Sequence, residues 1–317
     1  VKSLAAMLIL FWTTSGDQTV VRSVSAKVTI LSSVSAENLR IYPLTYTGNQ
    51  KSFTSFSDAL DKDCVVVKEK NEGEVNTIMV KNKSNSRIFV MAGEVVKGAK
   101  QDRMIENDML IPPNSGWLEV ACFCTEHGRW SGSTKEFGKA DINVSPSVRV
   151  NARKEKDQSE VWAKVAENQE DIMGAQSSTG AFRHIYEDKQ YQNNRDNYYK
   201  KLKDLPGKNS SVKGVLVCVG GDILCVDLFS SNDLLEDLWP KLLDSYIVEA
   251  MRYYSKEDDG SVTVSEAERF LKAYSEVDLE DEYTPGSGDL YEIESRDATG
   301  SAILTGGVLV HSDLFPD

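Results

Sequence analysis

The stretch VKGVLVCVGGDILCVDLF, running from Val212 to Phe229, reads as two strands, Val212–Val219 and Asp222–Phe229, folded back at Gly220-Gly221. Valine and leucine dominate both arms, as pleated and buried backbone prefers, and the glycine pair suits a two-residue hairpin turn. In that register Cys218 faces Ile223 and Leu216 faces Cys225. Both cysteines then share a face without opposing each other, which disfavours a disulfide between them.

Working outward, helical spacing flanks the hairpin. Glu155–Met173 carries apolar residues at Val161, Val165 and Ile172, and the polar, tyrosine-rich stretch Phe182–Leu205 stops at Pro206-Gly207. Downstream, a helix is expected from Asp233 to about Tyr254, with Pro240 marking a first turn or a break, and another over Ser265–Tyr274. Strands at Leu290–Ser295, Ser301–Leu304 and Val308–His311 close the chain. The first half is mostly β. Val20–Val34, Leu39–Thr47, Cys64–Lys68, Met109–Pro112 and Trp117–Cys124 suit strands, and Asn82-Lys83-Ser84-Asn85 suggests a hairpin between Glu74–Lys81 and Arg87–Ala92. Ser131–Ala140, polar and glycine-containing, is expected to be a mobile loop. Strands first, then helices with returning hairpins, predict an α+β fold in one large domain over residues 19–317.

The chain has 317 residues, 40% of them hydrophobic, enough to bury a full core and argue against intrinsic disorder. Its formal charge of −13 opposes binding to phosphate backbones and anionic lipid, so no nucleic acid is expected as a partner. The basic, tyrosine-bearing run Arg195–Lys203 reads as a solvated helix face. The five cysteines form no Cys-x-x-Cys pair and there are three histidines, so a zinc site has little support and buried thiols are expected. Cys122 and Cys124 alternate along a strand and should share a face. At the N-terminus, Lys2, the apolar run Leu4–Trp12 and the small residues Thr13–Gly16 read as a signal peptide over residues 1–18. That implies a secreted or periplasmic protein; a buried first element is the alternative. No other run is long enough to cross a bilayer as a helix.

The densest unusual segment is Phe89–Trp130, FVMAGEVVKGAKQDRMIENDMLIPPNSGWLEVACFCTEHGRW. It holds Gly93-Glu94, then Gly98-Ala99-Lys100-Gln101-Asp102-Arg103, then Pro112-Pro113, then Cys122 ahead of Glu126-His127-Gly128-Arg129-Trp130. In this order the pieces resemble the ARG/rhodanese/phosphatase-superfamily-associated protein domain family. Weaker agreement continues through Trp162, Asp227-Leu228-Phe229, Gly286-Ser287-Gly288 and Val310-His311. The resemblance implies one domain of shared architecture, often exported, with no assigned activity. Cys124, beside Cys122, departs from the pattern.

Read physically, Glu94, Lys100, Gln101, Arg103, Glu126 and Arg129 are polar groups in apolar strand territory, and such groups must be paired if buried. One expectation is an ion-pair network in which Glu94 or Glu126 takes Arg103 or Arg129 as a fork. The other is a pocket in which Lys100, Gln101, Arg103 and Arg129 hold a small anion, with Trp130 as a stacking wall. Gly128 and Gly98 would let the backbone turn sharply and aim the arginines inward. Glu94, Glu126 and His127 are then the candidates for acid–base chemistry. His311, alone on a terminal strand, is expected to be a satisfied core residue.

Ser255–Glu266 partly matches a calcium loop, with Glu257, Asp259, Ser261 and Glu266 as ligands but Ser255 where aspartate is expected. The bland alternative is a capping box made by Thr263 and Glu266. No cofactor is otherwise expected. The composite expectation is an accessory or binding module for a small anionic ligand or a protein partner. The alternatives are a hydrolase or transferase using a glutamate, and a structural interaction domain.

Overall fold

The computed structural model describes residues 15–48, 51–132, 134–253, 261–274 and 277–317. The hairpin is its centre. Val212–Val219 and Asp222–Phe229 pair antiparallel, flanked by Leu39–Thr45 on one side and Leu309–Pro316 on the other. The sheet continues antiparallel through Ala298–Leu304, Asp289–Glu294 and Asp278–Glu282, with the short strands Thr29–Ile30 and Val34–Ala36 on Leu39–Thr45.

A bulge at Leu224, opposite Val217 and Cys218, shifts the expected hairpin register. Cys218 faces Ile223 as read, but Leu216 faces Val226 and Val217 faces Cys225. The extra residue turns the strand over, so the two cysteines lie on opposite faces, Cys218 in one core cluster and Cys225 in the other.

One face of the sheet carries the larger core. Its spine is the helix Asn232–Arg252, buried along most of its length, with the buried charges Lys241 and Glu249 held in ion pairs to Glu94 and Arg252. Pro240 sits inside that helix and does not break it. Burial of Leu238, Trp239, Leu242 and Leu243 around it outweighs one lost hydrogen bond. The helices Gln158–Met173 and Lys189–Leu202 pack alongside. In the latter, Arg195 binds Asp244 and lies over the Tyr199 ring, while Lys200, Lys201 and Lys203 are exposed on the solvated face expected of the basic run. The other face is covered by Ser15–Ser25 and Val264–Tyr274. Residues 20–25 are therefore helical, not extended, with Val21 and Val24 in the core. Residues 1–14 of the signal-like segment lie outside the described residues.

The second body is a six-stranded sheet ordered Phe137–Asn143, Glu94–Gly98, Arg103–Ile105, Leu118–Cys124, Thr77–Asn82 and Val65–Glu74. It curls until its edges meet. Lys68 bridges Glu136, and the Glu69 N–H donates to the Lys135 carbonyl at 2.8 Å. The barrel so formed is filled by residues that include Val67, Ile78, Val80, Val96, Ile105 and Val120. Two expectations fail here. The stretch expected to be a mobile loop enters an edge strand at Phe137. Thr77–Asn82 and Ile88–Val90 are not a hairpin, because the latter crosses to a small separate sheet with Met109–Ile111 and Thr54–Ser55. The Asn82 side chain caps that crossover, accepting from the Ser84 N–H and donating to Ser86 and Pro112.

Candidate functional site

Lys100, Gln101, Arg103, Glu126, Arg129 and Trp130 gather at one end of the barrel. The turn before Arg103 runs through left-handed backbone at Gly98 and Ala99, with φ of 108° and 44°. Gly128 has a different part from the one expected. Its φ is not positive; a side chain there would meet the Thr179 backbone, whose carbonyl accepts from the Gly128 N–H at 2.8 Å.

Arg129 forks onto Glu126, with Nε 3.0 Å from both carboxylate oxygens and Nη2 2.6 Å from Oε2. Its Nη1 donates to the Ala99 and Ser131 carbonyls at 2.7 and 2.8 Å, and Nη2 also reaches Asp102 at 3.3 Å. All its donors are thus spent on the protein. Asp102 is held in addition by Arg183 Nε at 2.8 Å. Burial pushes the Glu126 carboxyl up, but the Arg129 fork and the Asp102 amide outweigh it and hold it below its ordinary value.

Arg103 is different. It points into the barrel and is fully buried, opposite Cys124 on the neighbouring strand. Its Nη1 donates to the Gln101 carbonyl and side chain, both at 3.3 Å. Among the described residues its Nε and Nη2 have no hydrogen-bond partner, and neither has Oε2 of the buried Glu69, whose Oε1 stands 3.8 Å from Nη2. Trp130 is 48% exposed, so it is not core, and its ring lies 5.7 Å from the Arg103 guanidinium and 4.9 Å from Lys100 Nζ. Gln101 also donates to the His127 carbonyl, while the His127 ring is exposed and meets Trp162 edge-on.

Glu94 does not join this group. It forms an ion pair with Lys241 of the long helix and accepts from the Met91 N–H at 2.7 Å. The expected Glu94–arginine fork is replaced because that helix packs on Phe137–Asn143, the neighbour of Glu94's own strand. Lys241 therefore reaches Glu94 from above.

A second, wholly buried polar cluster has Asp227 at its centre. Arg149 forks onto it with both bonds at 3.1 Å, Tyr246 donates to Oδ2, and His311 Nε2 stands 3.3 Å from Oδ1. His311 Nδ1 binds Asp108, which also accepts from the Ala92 N–H. Burial lowers the His311 pKa, but Asp108 and Asp227 outweigh it and raise it to about 10. His311 is thus an imidazolium clamped between two carboxylates and has no lone pair to offer as a base. Sequence reading placed it in the core but missed Asp108, Arg149 and Tyr246. The available signal was a charged residue, Asp227, on the inward face of an apolar strand.

The sequence profile of the ARG and rhodanese-phosphatase-superfamily-associated protein domain matches residues 27–315. The chain belongs to this family. No curated protein and no solved structure matches it. The segment on which the resemblance rests, Phe89–Trp130, supplies three of the six barrel strands, Arg103 and the Arg129 fork.

Of the other sequence candidates, Cys122 and Cys124 do share a face, both thiols approaching the Val75 carbonyl. Burial pushes Cys122 up and Cys124 to about 11, so both stay protonated and inert. In the calcium-loop stretch, Glu257 and Asp259 lie outside the described residues. Glu266 accepts from the Thr263 N–H at 2.7 Å and its own N–H donates to Thr263 Oγ1 at 3.2 Å, a capping box. Among the described residues no group of three or more His, Cys, Asp or Glu side chains is placed to hold a metal, and no helix is long and apolar enough to cross a membrane.

Proposed function

We propose that the protein is a binding module for a small oxyanion-bearing ligand, held at the Arg103 end of the barrel. The observation that carries this reading is the unbonded Nε and Nη2 of a fully buried arginine. These two N–H groups form the edge of a guanidinium that grips a carboxylate or phosphate with parallel bonds. Buried polar atoms without partners call for a water or a ligand. A ligand offering an oxyanion to Arg103 and an O–H or N–H to Glu69 Oε2 would satisfy all three orphaned atoms. Trp130, half exposed beside Lys100 and Arg103, supplies a wall.

One observation favours the structural reading for part of the cluster: Arg129 has no donor left to give. Glu94 and Glu126 are likewise committed to cations, which leaves a glutamate-driven hydrolase or transferase without a free acid or base. Two variants separate the roles. Arg129→Lys should cost about 1–3 kcal/mol of stability, since buried Glu126 loses its fork, while leaving any ligand-induced thermal shift in place. Arg103→Lys should abolish that shift. A screen of carboxylates and phosphates in which no compound raises the melting temperature of the native chain would leave Arg103 a water-satisfied structural residue.

We further propose that the protein is exported, on the strength of the signal-like Leu4–Trp12 run. Val21 is buried in the core and Tyr291 donates to Asp17 at 2.6 Å, so a cut that preserves these contacts falls before Asp17. N-terminal sequencing of the protein from its source cells should find a start close to Gly16. An unprocessed chain in the cytosolic fraction would refute export.

A further inference from the structure

Lys213 is a lone cation in an otherwise apolar strand. Between Val212, which faces Thr45, and Gly214, which faces Leu44, it is the extra residue of a bulge. Bulges re-aim side chains, and this one turns Lys213 off the pleat and into a cavity of about 800 Å³. The side chain is 3% exposed. Its Nζ donates to the Tyr46 carbonyl at 3.2 Å and lies 4.7 Å from the centre of the Tyr46 ring. No carboxylate among the described residues forms an ion pair with it. A buried ammonium is ordinarily paired with an anion, since a carbonyl and a ring face only partly replace water. Burial accordingly lowers its pKa.

The rest of the lining is rich in hydroxyls, among them Thr45, Ser52, Ser211 and Ser231, with Lys27 as a second cation. Asp233 is the one carboxylate in the lining, and it is solvent-exposed. Ser231 caps the 21-residue helix Asn232–Arg252, so the positive end of that helix opens on the same space.

We infer that this cavity is a second site, distinct from the Arg103 end of the barrel, and that it binds a phosphorylated polyol such as a sugar phosphate. A lysine acting as a point charge, hydroxyl donors and a helix N-terminus suit a phosphate; a planar carboxylate would call for an arginine fork. The hydroxyl-lined remainder matches a polyhydroxylated body. A nucleobase would lack a stacking wall, because the Tyr46 ring is already covered by Lys213.

Calorimetry and thermal shift on the full chain test the inference, with glucose 6-phosphate, glucose, inorganic phosphate and adenosine monophosphate as probes. Glucose 6-phosphate should bind and raise the melting temperature, more strongly than inorganic phosphate and with no response to glucose. Lys213→Met should weaken binding roughly tenfold to a hundredfold, the loss of one buried charge-assisted contact. The free variant should melt at or above the native chain, because an uncompensated charge has been removed. Lys27→Ala, at an exposed position, folds independently of that question and should weaken binding by less than about fivefold. Absence of binding by every phosphate overturns the site. So does undiminished binding by Lys213→Met, or a free Lys213→Met that melts far below the native chain, which would make the lysine structural. Preference for adenosine monophosphate would overturn the assigned ligand class.

Discussion

Asp227→Asn is expected to destabilise the protein by about 3–5 kcal/mol, the loss typical of a buried ion pair broken from one side. Asp227 answers four buried donor groups at once: the Arg149 fork, the Tyr246 hydroxyl, the His311 ring and, more weakly, the Cys225 thiol. Burial pushes its carboxyl up, but Arg149 and His311 outweigh that and hold it well below the ordinary carboxylate range. Asparagine keeps the shape and loses the charge. Its amide group would turn two N–H donors toward a guanidinium that cannot accept, leaving Arg149 as a buried cation without a full partner. Urea unfolding of the two proteins measures the loss. Adding Arg149→Met to Asp227→Asn should recover part of it, because the orphaned charge is then gone. A loss under about 1 kcal/mol for Asp227→Asn would show that water reaches the cluster and replaces the carboxylate.

The cluster is also where the two bodies of the fold are joined. Asp227 and His311 belong to the large sheet, Asp108 to the loop leading into Met109–Ile111, and Arg149 and Tyr246 to two helices packed between. Gly93 shows how tightly the barrel side meets it. Its φ is +85°, and a Cβ there would stand 2.3 Å from Asn143 Oδ1 and 2.8 Å from Arg149 Cγ. Apolar packing would join the bodies as firmly but would tolerate sliding. A fork, a clamped ring and a hydroxyl that converge on one carboxylate fix a single arrangement, and with it the placement of the barrel strands that carry Arg103.

How far this was legible in the sequence depends on whether the cause was local. The hairpin's ends were readable to the residue because paired glycines and an apolar run fix them. Its register was not: nothing around Leu224, the residue skipped between Ile223 and Cys225, announces a bulge. Phe137–Asn143 was missed because FGKADIN lacks an apolar face; the Glu94–Gly98 edge makes it a strand. At the site, Glu126 and Arg129 are three residues apart and their meeting was foreseeable. That Glu94 would take Lys241, or that Lys213 would turn into a cavity, depends on which helix and which strand lie alongside. The sequence shows only that each is a charge in an apolar setting.

Stability should also fall as the solution is made alkaline, and His311 is the reason. Its pKa is raised to about 10 in the folded protein, against an ordinary value near 6.5. A raised pKa means the folded state holds the proton more tightly than the unfolded chain does. The stabilisation is therefore complete below about pH 6.5 and is lost progressively as pH rises toward and through 10. Integrated over that window the loss is on the order of 3–5 kcal/mol. Within the cluster, His311 titrates alone in this range: burial pushes Cys225 and Tyr246 well above their ordinary values, and Asp227 is ionised throughout. Asp227 has the opposite sign. Its depressed pKa contributes stability above about pH 3.9, and that contribution is lost as the solution is acidified further. Urea unfolding at half-unit steps from pH 6 to 10 should trace the alkaline decline. In His311→Gln, stability at pH 6.5 should be lower and this part of the decline should vanish, since glutamine carries no proton to lose. A native chain equally stable at pH 6.5 and 9.5 would mean that His311 is neutral in the fold and that Asp108 and Asp227 do not clamp an imidazolium.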